Sequence, residues 1–205
     1  MVDGIVRPHD LLWIADDAEL CRELRPAWVR DALRQMPVVV VRRAEALPEF
    51  AAVGIRGPRR ELRFAALIKL RDVRNLRSPE SLASERGWCE NLAGLSERLR
   101  EALALFDELS NREKFVWGPV GSVGYQLATS LCVTTSESDV DVLIRCEVPP
   151  DRRLLSAVRE IARKSTARLD VILEGPPGAV ALEELHSHDV LLKTSRGPRI
   201  TAFTW

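Results

Sequence analysis

The chain lacks three things that would point to a membrane, a secreted scaffold or a polyanionic partner. No apolar run in its 205 residues approaches the roughly 18 needed to cross a bilayer, and no signal-peptide pattern precedes the first polar segment. Its four cysteines, Cys21, Cys89, Cys132 and Cys146, are far apart and form no CxxC pair. That spacing excludes a disulfide framework or a zinc site and predicts four reduced thiols acting as small apolar side chains. Net charge is the third absence: 30 Lys and Arg balance 30 Asp and Glu. Without a net field, nothing draws the chain to nucleic acid or to an anionic membrane. These absences predict a cytoplasmic protein with no nucleic-acid and no membrane partner. What is present is material for a core, since 46% of the residues are hydrophobic and 29% charged. That suits one globular domain or two small ones.

The organisation reads as two domains of an α+β protein, 1–84 and 85–205. In the first, Val29, Ala32, Leu33 and Met36 fall at helical spacing behind Pro26, which predicts a helix over 26–35. Apolar runs at 38–42, 50–56 and 62–70, punctuated by proline or glycine, predict strands. Ser78-Pro79-Glu80 reads as a helix start, and Leu92, Leu95, Leu99, Leu103 and Phe106 trace the stripe of a long helix ending before Asn111. Beyond it the pattern runs strand, turn, helix, strand, helix at 152–164, strand, a short helix at 179–186 and a hairpin around Gly197-Pro198.

Chemistry concentrates in the second domain. A strand ending near Trp117 enters Gly118-Pro119-Val120-Gly121-Ser122-Val123-Gly124, and a helix follows. Gly121 and Gly124 let backbone N–H groups approach an anion, Ser122 adds a hydroxyl, and the first helical turn points its dipole the same way. Ser138-Asp139-Val140-Asp141-Val142 then reads as a strand. Alternation puts Asp139 and Asp141 on one face with Val140 and Val142 on the other. Two such carboxylates repel unless a cation intervenes, and hard oxygen ligands suit Mg²⁺. A further strand in Arg168-Leu169-Asp170-Val171 carries Asp170, which would complete a catalytic and metal-binding triad if the two strands are neighbours. The bland readings are a connecting turn, a solvent-facing strand and a surface aspartate.

Arg56, Arg59, Arg60 and Arg63 surround the turn Gly57-Pro58. Arg56 and Arg60 are candidate contacts for a polyphosphate or an acidic partner, against the alternative of an ordinary solvated turn. His186 and His188 lack a third ligand at suitable spacing and read as surface or packing residues.

Together the segments Arg7-Pro8-His9-Asp10-Leu11-Leu12-Trp13, 37–43, Val53-Gly54-Ile55-Arg56-Gly57, 117–128, 138–142, 168–171, 177–182 and the terminal Trp205 resemble the phosphoribosyl-dephospho-CoA transferases, the holo-acyl-carrier-protein synthases of malonate decarboxylase. The resemblance implies a small N-terminal α+β domain followed by a nucleotidyltransferase-fold domain with a mixed sheet flanked by helices. It implies transfer of a prosthetic group from triphosphoribosyl-dephospho-CoA to a serine of the acyl-carrier subunit, with loss of pyrophosphate. Mg²⁺ on Asp139, Asp141 and Asp170, and donor phosphates on Gly121, Ser122 and Gly124, follow from it. One departure stands out: Ser130 occupies a place where the family pattern has glycine, and 131–136 depart from it as well. Two other readings share these residues: a nucleotidyltransferase with an ordinary NTP donor, and a noncatalytic scaffold of the decarboxylase.

Overall fold

β-branched and apolar runs make the first sheet. The computed structural model describes residues 6–16, 18–20, 26–59, 61–186 and 188–202, and divides the chain into two units, Met1–Ser78 and Pro79–Trp205. Cys21, Arg60 and Trp205 lie outside the described residues. In the first unit β1 (Leu11–Ile14), β2 (Val38–Val41), β3 (Phe50–Arg56), β4 (Arg63–Lys69) and β5 (Val73–Arg77) form an antiparallel sheet in the order β4-β3-β2-β1-β5. Helix α1 (Ala27–Gln35) contributes Val29 to a core with Leu12, Val39, Val53, Ile55 and Ile68. Strands β1 and β5 had no sequence prediction; β1 is four residues long and follows a turn in which His9 takes a φ of 74°. Buried Asp10 caps that turn by accepting the Arg7 N–H at 2.8 Å.

The second unit opens differently from the sequence expectation. The long helix predicted from 78 to 111 is two helices, α2 (Pro79–Glu85) and α3 (Glu97–Glu113), joined by an irregular segment. Arg86, Asn91 and Gly94 there have φ of 51°, 53° and 67°. Left-handed residues end a right-handed helix, so the stripe breaks and Leu92 is exposed. The remaining stripe, Leu99, Leu103, Phe106 and Leu109, is buried on α3. Each such side chain stabilises the fold by about 1.5–3 kcal/mol. Trp88, Phe106 and Trp117 pack ring against ring, with centroids 4.9 and 5.8 Å apart.

The second sheet is mixed. Its strands β6 (Val116–Pro119), β7 (Val140–Arg145), β8 (Leu169–Gly175), β9 (Gly178–Ala181), β10 (Asp189–Thr194) and β11 (Gly197–Ala202) run in the order β11-β10-β9-β8-β7-β6. Only β7 and β8 pair in parallel, and α5 (Arg152–Lys164) supplies the crossover between them. Asp151 caps α5 by accepting the Leu154 N–H at 2.7 Å. Between β6 and β7 lies α4 (Gly121–Thr129). The short helix expected over 179–186 is instead β9 followed by a 3-10 turn, Leu182–His186. Pairing with β8 buries Ala179 and Val180.

The cysteines also depart from expectation, because Cys89 and Cys132 are exposed rather than packed. Cys146 is partly buried, and burial pushes its thiol up to about 11. Among the described residues no helix is long and apolar enough to cross a membrane.

Candidate active site

The turn between β6 and α4 is built against β7. Pro119 pairs with Val142, and the Val120 N–H donates to the Asp141 carbonyl at 2.9 Å. The chain then turns through Gly121 at a φ of 62°. Glycine is required here twice over: the conformation is left-handed, and a Cβ would overlap the Asp141 carboxylate. The sequence thus places the start of α4 directly against one of the acids.

Helix α4 begins without a side-chain cap, since its N-cap residue is Val120. Its first internal bond is the Gly124 N–H to the Val120 carbonyl, at 3.0 Å. The N–H groups of Gly121, Ser122 and Val123 precede that bond, at the helix end that favours an anion. Gly121 is exposed and Ser122 half-buried. Gly124 differs from the sequence expectation: it is buried, its N–H is already donated, and a Cβ there would strike the Pro119 carbonyl. Close helix-to-turn packing therefore accounts for the missing side chain at 124.

The parallel register places Asp141 directly opposite Asp170. Asp139 sits two residues before Asp141, just ahead of β7, and its carboxylate has no hydrogen-bond or ion-pair partner among the described residues. Asp170 is engaged: its Oδ1 lies 3.0 Å from Nε of Arg168, two positions earlier. Among the described residues no group of three His, Cys, Asp or Glu side chains is placed to hold a metal ion. The three acids expected to act as one ligand set are thus arranged as Asp141 within β7, Asp139 just ahead of that strand, and Asp170 across from Asp141 and held by an arginine. Asp139 and Asp141 still suit Mg²⁺, which usually takes only one or two carboxylates and completes its shell with substrate phosphate and water.

Two supporting residues escaped the sequence reading. Gln126 on α4 is fully buried, and its Oε1 accepts the Val133 N–H at 2.9 Å, the Thr134 N–H at 2.8 Å and the Thr134 hydroxyl at 2.8 Å. Its Nε2 donates to the Ala93 carbonyl at 2.9 Å. One amide thereby organises the loop between α4 and β7, and an amide within the otherwise apolar helix 123–128 was the available signal. Arg98 on α3 donates to the Ser138 carbonyl at 2.9 Å and the Thr166 carbonyl at 3.4 Å, tying together the entries to β7 and β8.

Arg56 ends β3 in the first unit, opposite Arg63 of β4. His188 is exposed beside Asp189, with Nδ1 to Oδ1 at 3.2 Å.

Comparison with known proteins follows the same division of the chain. Residues 7–79 match the family model for the phosphoribosyl-dephospho-CoA transferase MdcG N-terminal domain, and residues 81–203 match that for the C-terminal domain. The chain is 37% identical over 203 residues to a phosphoribosyl-dephospho-CoA transferase of Pseudomonas putida strain GB-1, covering 97% of this chain and 95% of the relative. It is 38% identical over 204 residues to that of Azotobacter vinelandii strain DJ, covering 97% and 94%. With the Klebsiella pneumoniae protein of the same name it shares 36% identity over 200 residues, covering 97% and 96%. No solved structure matches the chain. Two family models that together span nearly the whole sequence, and relatives aligned almost end to end, lead to one statement: the chain belongs to the phosphoribosyl-dephospho-CoA transferase family.

Proposed function

We propose that this transferase is a nucleotidyltransferase that moves the phosphoribosyl-dephospho-CoA group from triphosphoribosyl-dephospho-CoA to a serine hydroxyl of the acyl-carrier subunit of malonate decarboxylase. The serine oxygen forms a bond to the innermost phosphorus of the triphosphate, the bond from that phosphorus to the bridging oxygen breaks, and pyrophosphate leaves. The observation that carries the reading is the parallel register of Asp141 with Asp170 beside the start of α4, where Gly121 packs against the Asp141 carboxylate. It sets acids and anion-seeking N–H groups side by side.

Each residue has a role in this reading. The N–H groups of Gly121 and Ser122 hold the outer phosphates, which become the leaving pyrophosphate. Asp139 and Asp141 hold Mg²⁺. When bound, that ion supplies positive charge to the phosphate oxygens during displacement. Asp170 takes the serine proton on Oδ2, the oxygen that Arg168 leaves without a protein partner among the described residues. Arg98 and Gln126 position the strand entry and the loop that carry Asp139.

The test is mass spectrometry of the apo carrier subunit after incubation with this chain, Mg²⁺ and the triphosphoribosyl donor, with pyrophosphate measured in parallel. The expected result is one prosthetic group added per carrier and one pyrophosphate released, with no addition by Asp141→Ala. Full modification by that variant sinks the site assignment. Failure with this donor alongside transfer of AMP from ATP would establish the NTP-donor reading instead.

A further inference from the structure

The starts of β7 and β8 bring together Asp139, Asp141 and Asp170 in sequence and register, with Arg168 beside Asp170. Arg168, just ahead of β8, and Asp170 within it share a side, since Nε lies 3.0 Å from Oδ1, and Asp139, just ahead of β7, stands two residues before Asp141. The strands adjoin at this level, because the Val140 N–H donates to the Arg168 carbonyl at 2.9 Å. Arg168 is therefore the positive charge set among the acids.

Its guanidinium is only partly used. Nε lies 3.0 Å from Asp170 Oδ1, while the two terminal nitrogens have no protein partner among the described residues. The side chain is 63% exposed and that of Asp170 35%. An exposed ion pair of this kind adds little to stability, so folding alone gives little reason for it. Recognition gives a better one. A polyphosphate approaching Asp139, Asp141 and Asp170 meets three negative charges, and an arginine oriented by one of them offers a planar fork that matches two phosphate oxygens.

We propose that Arg168 binds the donor's phosphate chain through its terminal nitrogens, with Asp170 orienting it through Nε. The inference rests on the transferase reading above and adds to it the residue that grips the phosphates from the β8 side. Asp170 then serves the site with both oxygens, Oδ1 to orient Arg168 and Oδ2 toward the acceptor hydroxyl.

The experiment compares the full chain with Arg168→Ala, Arg168→Lys and Asp170→Asn. It reads donor KM and kcat for carrier modification, and calorimetric binding of inorganic tripolyphosphate in the presence of Mg²⁺. Losing a charge-assisted, two-pronged contact should raise donor KM and weaken tripolyphosphate binding by about 10- to 100-fold in Arg168→Ala. Lysine should restore only part of this, because it is a point charge without the fork. Asp170→Asn should lower kcat far more than it raises KM. Thermal unfolding of Arg168→Ala should match the parent, which separates phosphate binding from a structural role. Arg168→Ala with parental KM and parental tripolyphosphate binding overturns the inference while leaving the transferase reading intact. A parent chain that neither binds tripolyphosphate nor modifies the carrier overturns both.

Discussion

The two ends of the β7–β8 pair carry opposite solutions to the same geometry. At one end Asp141 faces Asp170, like charge against like; four residues further along, Arg145 faces Glu174. At the second end two acids share one arginine. Arg145 Nη1 lies 2.9 Å from Glu174 Oε2, and its Nε bonds Glu80 of α2. All three side chains are largely buried, at 13%, 10% and 18% exposure for Arg145, Glu174 and Glu80. Across the strands at the Asp end Asp141 meets Asp170, whose Oδ1 lies 3.0 Å from Nε of Arg168 alongside. Facing like charges on paired strands destabilise the fold, so the Asp end is retained for something besides stability. One pair of strands thus sets an arginine against a glutamate at one end and an aspartate against an aspartate at the other.

Asp141→Ala tests that contrast most severely. Carrier modification should fall by roughly 10³-fold or more, since the variant removes a group that acts where charge develops. Chemical unfolding should meanwhile change by no more than about 1 kcal/mol, because the substitution also removes a facing like charge. A loss of several kcal/mol would make Asp141 a structural residue and erase the difference between the two ends.

Arg145→Ala should behave in the opposite way. Removing the cation leaves Glu174 and Glu80 buried without it, a change that costs about 3–5 kcal/mol. Denaturant unfolding should show that loss, while donor KM of the remaining folded protein stays near the parental value. Stability within 1 kcal/mol of the parent would mean that water reaches this end too.

Much of this contrast was legible in the sequence, for a physical reason. Strand alternation is local, so Asp139 and Asp141 could be assigned to one face from their spacing, and the helix over 152–164 from its periodicity. The pairing of Asp141 with Asp170 is a long-range register, and it became legible only with the crossover through α5 in place. Arg98 and Gln126 stayed hidden because their partners are backbone groups of distant loops, which leave no pattern in neighbouring residues. The helix expected through 86–96 failed on positive φ at Arg86, Asn91 and Gly94; asparagine and glycine are residue types that take this conformation, and Arg86 gives no such sign.

Gln126→Leu sharpens the comparison at the Asp end, where a loop as well as a strand must be held. The variant keeps the volume of the side chain but leaves the Val133 and Thr134 N–H groups without their acceptor and the Ala93 carbonyl without its amide donor. A cost of about 1–3 kcal/mol is expected, together with faster hydrogen exchange confined to 131–138. Exchange that accelerates equally around Arg145 would show that Gln126 supports the whole unit rather than the Asp end.

The smallest effect belongs to Ser130, where the resemblance led to an expected glycine. Ser130 is the C-cap of α4 with a φ of 59° and a ψ of 8°, and its N–H donates to the Gln126 carbonyl at 2.8 Å. A left-handed cap is the position where a Cβ is costly and glycine is not, which is the physical content of the glycine expected there. The serine hydroxyl has no protein partner among the described residues to offset that cost. Ser130→Gly should therefore raise stability by about 0.5–1 kcal/mol, the relief of strain exceeding the added freedom of the unfolded chain. Transfer rates should be unchanged, because the α4 start and both acids lie elsewhere. Lower stability in this variant would show that the hydroxyl contributes to the loop and that the departure from glycine is an adaptation of the Asp end rather than a tolerated strain.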